Sequence, residues 1–125
     1  MSILIVEDEP FIRAVLTEIL EDEGYPVASV SNGLEALAYL RGCTELPHVI
    51  LLDLGMPVMS GWEFREEQLR DGTIRGIPVI VMSALPDLTR RAAALGVVGC
   101  LDKPIDINVL LGMVQRYYPL SNQHV

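Results

Sequence analysis

The stretch VILLDLGMPVMSG, residues 49–61, contains the pattern that decides the fold. Its first four residues form a short apolar run next to turn-forming residues, which is typical of a fully buried strand. The run ends at Asp53, and Gly55 and Pro57 then favour a turn. A carboxylate therefore lies where a predicted core strand reaches the edge of its sheet.

Apolar runs of similar length recur along the chain and alternate with segments of helical periodicity. The predicted strands span residues 3–6, 27–30, 49–52, 78–82 and 97–101. Strands that alternate with helices predict an α/β fold, in which a doubly wound parallel sheet carries helices on both faces. The length predicts one domain, residues 1–118, followed by a polar tail, residues 119–125.

Five helices are predicted, each from apolar residues at helical spacing beside a capping or terminating residue. The first opens near Pro10 and stops at Gly24, and its apolar face is Ile12, Val15, Leu16, Ile19 and Leu20. The second follows a cap at Asn32 and carries Leu34, Leu37 and Ala38. The third follows a cap at Ser60 and carries Trp62, Phe64 and Leu69. The fourth spans about 86–95, and the fifth follows a cap at Asp106 and carries Leu110, Met113, Val114 and Tyr117.

Composition narrows the classes of partner. The formal net charge of -8 argues against nucleic acid, because binding phosphates needs a basic patch. No apolar run approaches the ~20 residues of a membrane-spanning helix, and no signal peptide is recognisable. The two cysteines, Cys43 and Cys100, form no metal or disulfide motif. We therefore expect a cytoplasmic protein with neither a membrane nor a nucleic-acid partner.

Polar residues stand at the ends of four predicted strands. They are Glu7 and Asp8 after the first strand, Asp53 after the third, Ser83 after the fourth and Lys103 after the fifth. The carboxyl ends of parallel strands share one edge, where ligands bind at the point of reversed strand order. If the first strand lies inside the sheet, Asp8 and Asp53 flank that point.

These residue types indicate phosphoryl chemistry. Two carboxylates about 4 Å apart repel by ~4 kcal/mol at an effective dielectric constant near 20, so positive charge has to offset them. Lys103 supplies one charge, and Mg²⁺ takes carboxylates, a backbone carbonyl and waters as ligands. An Asp53 oxygen beside these cations could attack a phosphoryl group, and the Ser83 hydroxyl could hydrogen-bond the new oxygens.

Four motifs carry a family resemblance: ILIVEDEP (3–10), VILLDLGMPVMSGWE (49–63), IPVIVMSA (77–84) and DKPI (102–105). They occur in the order and at the separations seen in receiver domains of two-component response regulators, which the chain resembles over residues 2–117. Each motif alone is weak evidence for the family. The four motifs together, in this order and each at the end of a predicted strand, are specific for it. The resemblance implies a flavodoxin-like, three-layer (βα)5 sandwich with a five-stranded sheet in the order 2-1-3-4-5.

The resemblance assigns Asp53 as the acceptor of a phosphoryl group from a histidine kinase or a His-phosphotransfer protein. It implies that the side chains of Asp8 and Asp53 and the backbone carbonyl of Gly55 bind Mg²⁺, while Glu7 acts through water. The domain is then not an enzyme but a phosphoacceptor that assists its own phosphorylation and dephosphorylation.

The resemblance also implies a switch. Lys103 pairs with the phosphoryl group and precedes a peptide bond to Pro104 that is usually cis in the family, and Ser83 is the switch hydroxyl. A downstream protein is expected to bind the face of the fourth helix, fifth strand and fifth helix, which includes residues 88–95 and 107–117. We expect a monomer or a weak dimer.

The sequence departs from the family pattern at two places. Cys100 occupies a position that usually carries Tyr or Phe, and a cysteine has no aromatic ring to rotate during the switch. Gly55 has no side chain to shield Asp53 from water, whereas its counterpart Leu85 could cover the site. We expect an unusual phosphoryl lifetime, in a direction that the sequence leaves open.

Other interpretations compete with this one. Asp53 alone could cap a turn, and Glu7 and Asp8 could simply be solvated, but their common edge favours the functional role. The chain could be a stand-alone receiver or the receiver piece of a longer regulator, such as a transcription factor. The length of the gene would distinguish these two possibilities. An aspartyl-phosphate phosphatase is disfavoured, because a dehalogenase-like enzyme would need a second Asp where Gly55 stands.

Overall fold

The computed structural model describes residues 2–56, 58–84 and 91–118, and its strands form a single parallel sheet. The strands are β1 (Ile3–Val6), β2 (Val27–Val30), β3 (Val49–Asp53), β4 (Val79–Ser83) and β5 (Gly99–Asp102). Their order is β2-β1-β3-β4-β5, so the predicted order is confirmed and β1 lies inside the sheet. The strand order reverses between β1 and β3, which opens a crevice at their carboxyl ends.

Four α-helices lie in the described ranges: α1 (Pro10–Asp22), α2 (Gly33–Gly42), α3 (Gly61–Arg70) and α4 (Ile107–Tyr117). The predicted fourth helix falls partly on residues 85–90, outside the described residues. Its described part is helical from Arg91, becomes a 3-10 helix over Ala93–Leu95, and stops at Gly96 with φ 71°. The predicted tail, residues 119–125, also lies outside the described residues.

The predicted helix caps are confirmed. The Asn32 side chain accepts a hydrogen bond from the Glu35 N–H at 2.9 Å, and Ser60 forms a capping box with Glu63. The Asp106 side chain accepts hydrogen bonds from the first N–H groups of α4. Each cap satisfies backbone donors that a helix start leaves without partners.

Two apolar cores cover the two faces of the sheet. Side chains alternate along β1, so Leu4 and Val6 pack with α2 and α3, whereas Ile3 and Ile5 pack with α1 and α4. Every residue of β1, β3 and β4 is buried, as a parallel sheet covered on both faces requires. The result is the predicted three-layer arrangement.

Two helix faces differ from the prediction. In α2, Leu34 and Ala38 are exposed, and the buried face is Gly33, Ala36, Leu37 and Leu40. Gly33 lies on this buried face and packs closely against Met59, since a Cβ atom there would lie 2.7 Å from the Met59 Cγ. In α3, Leu69 is 41% exposed, because polar Arg65 and Gln68 take the inner positions beside Phe64.

Strand ends also shift slightly. β4 and β5 begin one and two residues later than predicted, and β3 extends to include Asp53. Asp53 is therefore the last residue of the strand and is held by sheet pairing opposite Met82. Within the described ranges, no helix combines the length and the apolar character needed to span a membrane.

Candidate functional site

Asp53 lies in the crevice with only 5% of its surface exposed. Its Oδ1 accepts a hydrogen bond from the Gly55 N–H at 3.2 Å, which holds the start of the following loop close to the carboxylate. The loop then returns so closely that a Cβ atom at Gly61 would lie 2.5 Å from the Asp53 carbonyl oxygen. Only glycine fits there, so the glycine that starts α3 keeps the loop packed around Asp53.

Glu7 and Asp8 follow β1 at the same edge. Glu7 is fully buried, and its N–H donates to the Val30 carbonyl at 3.1 Å, continuing the pairing of β1 with β2. The Arg13 guanidinium donates to the Glu7 carbonyl at 2.8 Å, and the Glu9 N–H donates to Glu7 Oε2 at 3.1 Å. The acidic turn is therefore fixed from both its backbone and its side chain.

Glu7, Asp8 and Asp53 meet in one cluster. Each contributes a carboxylate oxygen, and these oxygens lie within 4.8 Å of one another. Hard divalent cations take oxygen ligands of this kind. Because Glu7 and Asp53 are buried, water alone does not screen their repulsion, and the cluster could hold a metal ion.

Lys103 brings the positive charge to this cluster. Its Nζ lies 2.9 Å from Glu7 Oε1 and 3.4 Å from Asp53 Oδ1. Its backbone N–H donates to the Ser83 carbonyl at 2.8 Å, and its peptide bond to Pro104 is cis, as predicted. Lys103 therefore joins the ends of β1, β3 and β4 from the strand at the far edge of the sheet.

The pKa values reflect this crowding. Burial raises the pKa of Glu7, although the hydrogen bond from Lys103 acts in the opposite direction. Burial acts to lower the pKa of Lys103, but the hydrogen bond to Glu7 and the negative charges of Asp53 and Glu7 outweigh it, so this pKa is raised. Lys103 therefore stays charged, and three carboxylates against one ammonium leave two formal negative charges.

Ser83 lies beside the cluster at the end of β4, whereas Cys100 lies deeper in the sheet, where β5 pairs with Val81 of β4. Ser83 is the buried last residue of β4 and pairs with Asp102 of β5. Cys100 is partly buried against the core that α2 and α3 cover, and burial raises the pKa of its thiol. Leu85, the predicted counterpart of Gly55, lies outside the described residues.

The structure brings together Glu7, Asp8, Asp53 and Lys103, and it places Gly55 and Ser83 directly beside them. Sequence reasoning missed Arg13, which holds the acidic turn through the Glu7 carbonyl. The signal was available: Glu9 caps α1, and a cation at Arg13, one turn further, points back to that helix start. This arrangement can bind a divalent cation and present a carboxylate oxygen to an electrophile beside an ammonium group.

Comparisons with known proteins agree with this geometry. A family model described as "Response regulator receiver domain" matches residues 3–115. Sporulation initiation phosphotransferase F of Bacillus subtilis (strain 168) is 36% identical over 124 residues, which are 97% of this chain and 96% of the relative.

Solved structures are similar as well. The signal receiver domain of a signal transduction histidine kinase from Syntrophus aciditrophicus has a TM-score of 0.84 and 34% identity, over 98% of this chain and 92% of that one. The receiver domain of a sensor histidine kinase from Pseudomonas aeruginosa PAO1 has a TM-score of 0.82 and 28% identity, over 93% of this chain and 95% of that one. In that structure a magnesium ion is coordinated in the active site cleft.

Proposed function

Because the chain belongs to the response regulator receiver domain family, we propose that it accepts a phosphoryl group on Asp53 and changes conformation in response. One observation carries the proposal. Lys103 Nζ contacts both Asp53 and Glu7, at 3.4 and 2.9 Å, in a cluster whose carboxylate oxygens lie within 4.8 Å of one another. Phosphoryl transfer depends mainly on positioning and charge stabilisation, and this cluster offers both.

The transfer is a substitution at phosphorus. An Asp53 oxygen forms the new bond while the bond from phosphorus to the donor nitrogen breaks, and the nitrogen keeps the electron pair and takes up a proton. Lys103 is close enough to neutralise charge on the transferred oxygens, and the Gly55 N–H orients the carboxylate. In this role the domain is a phosphoacceptor that assists its own phosphorylation and dephosphorylation, not an enzyme with a separate substrate.

The residues fit Mg²⁺. Asp8, Asp53 and the carbonyl of Gly55 would hold the ion, because both carboxylate oxygens of Glu7 already accept hydrogen bonds, from Lys103 and Glu9. Glu7 would then act through water. When bound, Mg²⁺ supplies the positive charge that the phosphoryl oxygens need. The magnesium ion in the related Pseudomonas aeruginosa receiver domain supports this choice of metal.

The phosphodonor in this proposal is a histidine kinase or a His-phosphotransfer protein. The phosphorylated Asp53 would attract the hydroxyl of Ser83, which lies at the end of the neighbouring strand. The resulting shift would reach a downstream protein through β5, α4 and residues 88–95, of which 88–90 lie outside the described residues. The proposal concerns this domain whether it acts alone or within a longer regulator.

Intact mass spectrometry tests the proposal. The protein is incubated with Mg²⁺ and acetyl phosphate, and parallel samples contain EDTA or carry Asp53→Ala. We expect one added phosphoryl group, absent with EDTA and absent in the variant. Phosphorylation that persists in Asp53→Ala would contradict the assignment of the acceptor. Phosphorylation that persists in the presence of EDTA would contradict the requirement for a metal ion.

A further inference from the structure

The carbonyl of Glu7 stands at the point where the chain leaves the sheet after β1. The Glu7 N–H still donates to the Val30 carbonyl of β2, at 3.1 Å, but the pairing of β1 with β3 stops one residue earlier, at Val6 and Leu52. Because Glu7 is fully buried, its carbonyl needs a partner within the protein. Arg13 is that partner, since its Nη1 donates to the Glu7 carbonyl at 2.8 Å.

Arg13 reaches this carbonyl from the first turns of α1. Its own N–H donates to the Glu9 carbonyl at 3.0 Å, and its carbonyl accepts a hydrogen bond from the Thr17 hydroxyl at 2.8 Å. The backbone of Arg13 is therefore fixed in the helix, while its side chain points back towards the end of β1. The hydrogen bond to Glu7 ties the start of α1 to the end of that strand.

A side chain of α2 helps to place the guanidinium of Arg13. Glu35 Oε1 accepts hydrogen bonds from the hydroxyl and the N–H of Ser31, both at 2.7 Å, which fixes the Glu35 carboxylate at the end of β2. These hydrogen bonds lower the pKa of Glu35, and the positive charge of Arg13 adds to the same effect. Arg13 therefore has a fixed negative charge in its neighbourhood as well as the Glu7 carbonyl.

Asp8 is the carboxylate of the cluster whose side chain is not held in place. The other two carboxylates, of Glu7 and Asp53, both contact Lys103 Nζ, at 2.9 and 3.4 Å. The Asp8 carboxylate has neither a hydrogen bond nor an ion pair with any residue that the structure describes. One of its oxygens nevertheless lies within 4.8 Å of carboxylate oxygens of the other two. The position of Asp8 therefore depends on its backbone.

One peptide unit links the Arg13 contact to Asp8. The carbonyl of Glu7 and the Cα atom of Asp8 belong to the same planar group. A hydrogen bond that holds the carbonyl oxygen also limits the rotation of this plane. It thereby sets the direction in which the Asp8 side chain leaves the backbone.

We propose that Arg13 is a positioning residue of the magnesium site, and that it directs Asp8 at the metal by holding the Glu7 carbonyl. This inference rests on the proposed function, in which Asp8 and Asp53 hold Mg²⁺. In this role Arg13 contacts neither the metal nor the phosphoryl group. Outer contacts of this kind orient metal ligands, and their loss typically weakens metal binding by about 10- to 100-fold.

The sign of the effect distinguishes positioning from charge. Arg13 carries a positive charge near the acidic cluster, and that charge by itself repels a cation. If charge were its only effect, Arg13→Gln would bind Mg²⁺ more tightly than the wild type. If Arg13 positions Asp8, the same variant binds Mg²⁺ more weakly.

The test measures the dissociation constant for Mg²⁺ in the absence of a phosphodonor. NMR follows the Gly55 amide, which donates to Asp53 Oδ1, during a titration with magnesium chloride. We expect the dissociation constant of Arg13→Gln to be about tenfold higher than that of the wild type. The matched control Arg75→Gln removes the same charge at an exposed position before β4, at the opposite edge of the sheet, and should bind Mg²⁺ like the wild type.

Phosphorylation by acetyl phosphate provides a second readout. At saturating Mg²⁺ the rate of Arg13→Gln should lie within about twofold of the wild-type rate, because Asp53 and Lys103 keep their own contact. If Arg13→Gln does not fold, Arg13→Lys takes its place. This variant keeps the charge, so a weaker affinity for Mg²⁺ comes from the changed geometry of the donor, and we expect a loss of about threefold.

The outcomes separate the two claims. Equal or tighter binding of Mg²⁺ by Arg13→Gln overturns the positioning role, and so does a rate of phosphorylation that stays low at saturating Mg²⁺. Where only Arg13→Lys folds, an unchanged affinity overturns it. A wild type that binds Mg²⁺ but takes no phosphoryl group refutes the proposed function, while the titration still decides the role of Arg13. A wild type that binds no Mg²⁺ refutes both.

Discussion

At the scale of single residues, the ion pair of Glu7 and Lys103 dominates the site. Glu7 is fully buried, and Lys103 Nζ lies 2.9 Å from its Oε1. A buried carboxylate that loses its cation is left charged in a poorly solvated place, or else takes up a proton. The pair is thus a structural requirement of the cluster as well as part of its chemistry.

We expect Lys103→Met to destabilise the protein without metal by about 1–3 kcal/mol, because Glu7 loses its charged hydrogen-bond donor. Without Lys103, burial raises the pKa of Glu7 further, and only the hydrogen bond from the Glu9 N–H still acts in the opposite direction. An acid whose pKa is raised on folding stabilises below its unfolded pKa, and that contribution is lost as the pH rises. Urea unfolding in EDTA should therefore show a larger deficit near pH 8 than near pH 5.

The control is the double variant Glu7→Gln with Lys103→Met, which removes both charges. Its stability should return most of the way towards that of the wild type, with little dependence on pH in this range. A deficit of Lys103→Met that is the same at both pH values and persists in the double variant would show that Lys103 acts through packing.

Gly55 leaves open space beside the carboxylate of Asp53. A Cβ atom added there would meet nothing nearer than Asp53 Oδ1 at 4.0 Å, so a side chain fits beside the acceptor. We expect Gly55→Met to lengthen the lifetime of the phosphorylated protein severalfold, because the side chain restricts the hydrolytic water. Intact mass followed over time measures it, and Gly55→Ala should have a smaller effect. A lifetime shortened by Gly55→Met would refute this explanation.

At the scale of elements, α1 has an unfavourable end. Its last turn contains no basic residue, whereas Glu21 and Asp22 are exposed there. Negative charge opposes the helix dipole at a C-terminus. We expect Glu21→Lys to raise the free energy of unfolding by about 0.5 kcal/mol at low salt, and less at high salt.

The matched control for the α1 prediction is Glu66→Lys, which makes the same change of charge at an exposed position within α3. If the free energy of unfolding, measured with urea, rises equally in both variants, the increase comes from the reduced net charge, which is -8 in the wild type, rather than from the helix end. An increase in stability that is confined to Glu21→Lys supports the effect of the helix dipole.

The junction of β3 with α3 depends on one glycine. A Cβ atom at Gly61 would lie 2.5 Å from the Asp53 carbonyl oxygen and 2.8 Å from the Leu54 Cα. Both are backbone atoms, which move too little to relieve such close contacts. We expect Gly61→Ala to cost about 1–3 kcal/mol of stability and to slow phosphorylation. Gly72→Ala is the control, since nothing lies within 4 Å of its added Cβ. Equal stability of the two variants would mean that the loop relaxes freely.

Helices and strands were predictable from the sequence where the spacing of apolar residues followed one clear period. β1 and β2 and the caps at Asn32, Ser60 and Asp106 agree with the sequence pattern. The inner face of α3 was not predictable, because the partners of Arg65 are the carbonyls of Leu95 and Gly96, about 30 residues away in the sequence. Apolar periodicity has no signal for a buried polar residue whose partners are backbone atoms.

At the scale of the whole molecule, the site follows from the topology. Placing β1 between β2 and β3 puts the acidic turn after β1 beside Asp53, and the parallel direction brings Lys103 to the same edge. The sequence predicted these residues because each follows a recognisable strand. It did not predict the distances or the burial of Glu7, which depend on how the helices close the two cores.

The identity of the phosphorylated residue is the most direct test of the whole account. The protein is phosphorylated with acetyl phosphate and Mg²⁺ and then treated with borohydride, which reduces an aspartyl phosphate to homoserine. Trypsin releases the peptide 42–65, in which Asp53 is the single aspartate. We expect homoserine at position 53 and at no other aspartate. Reduction at Asp8, or at any other carboxylate in place of Asp53, would contradict the account.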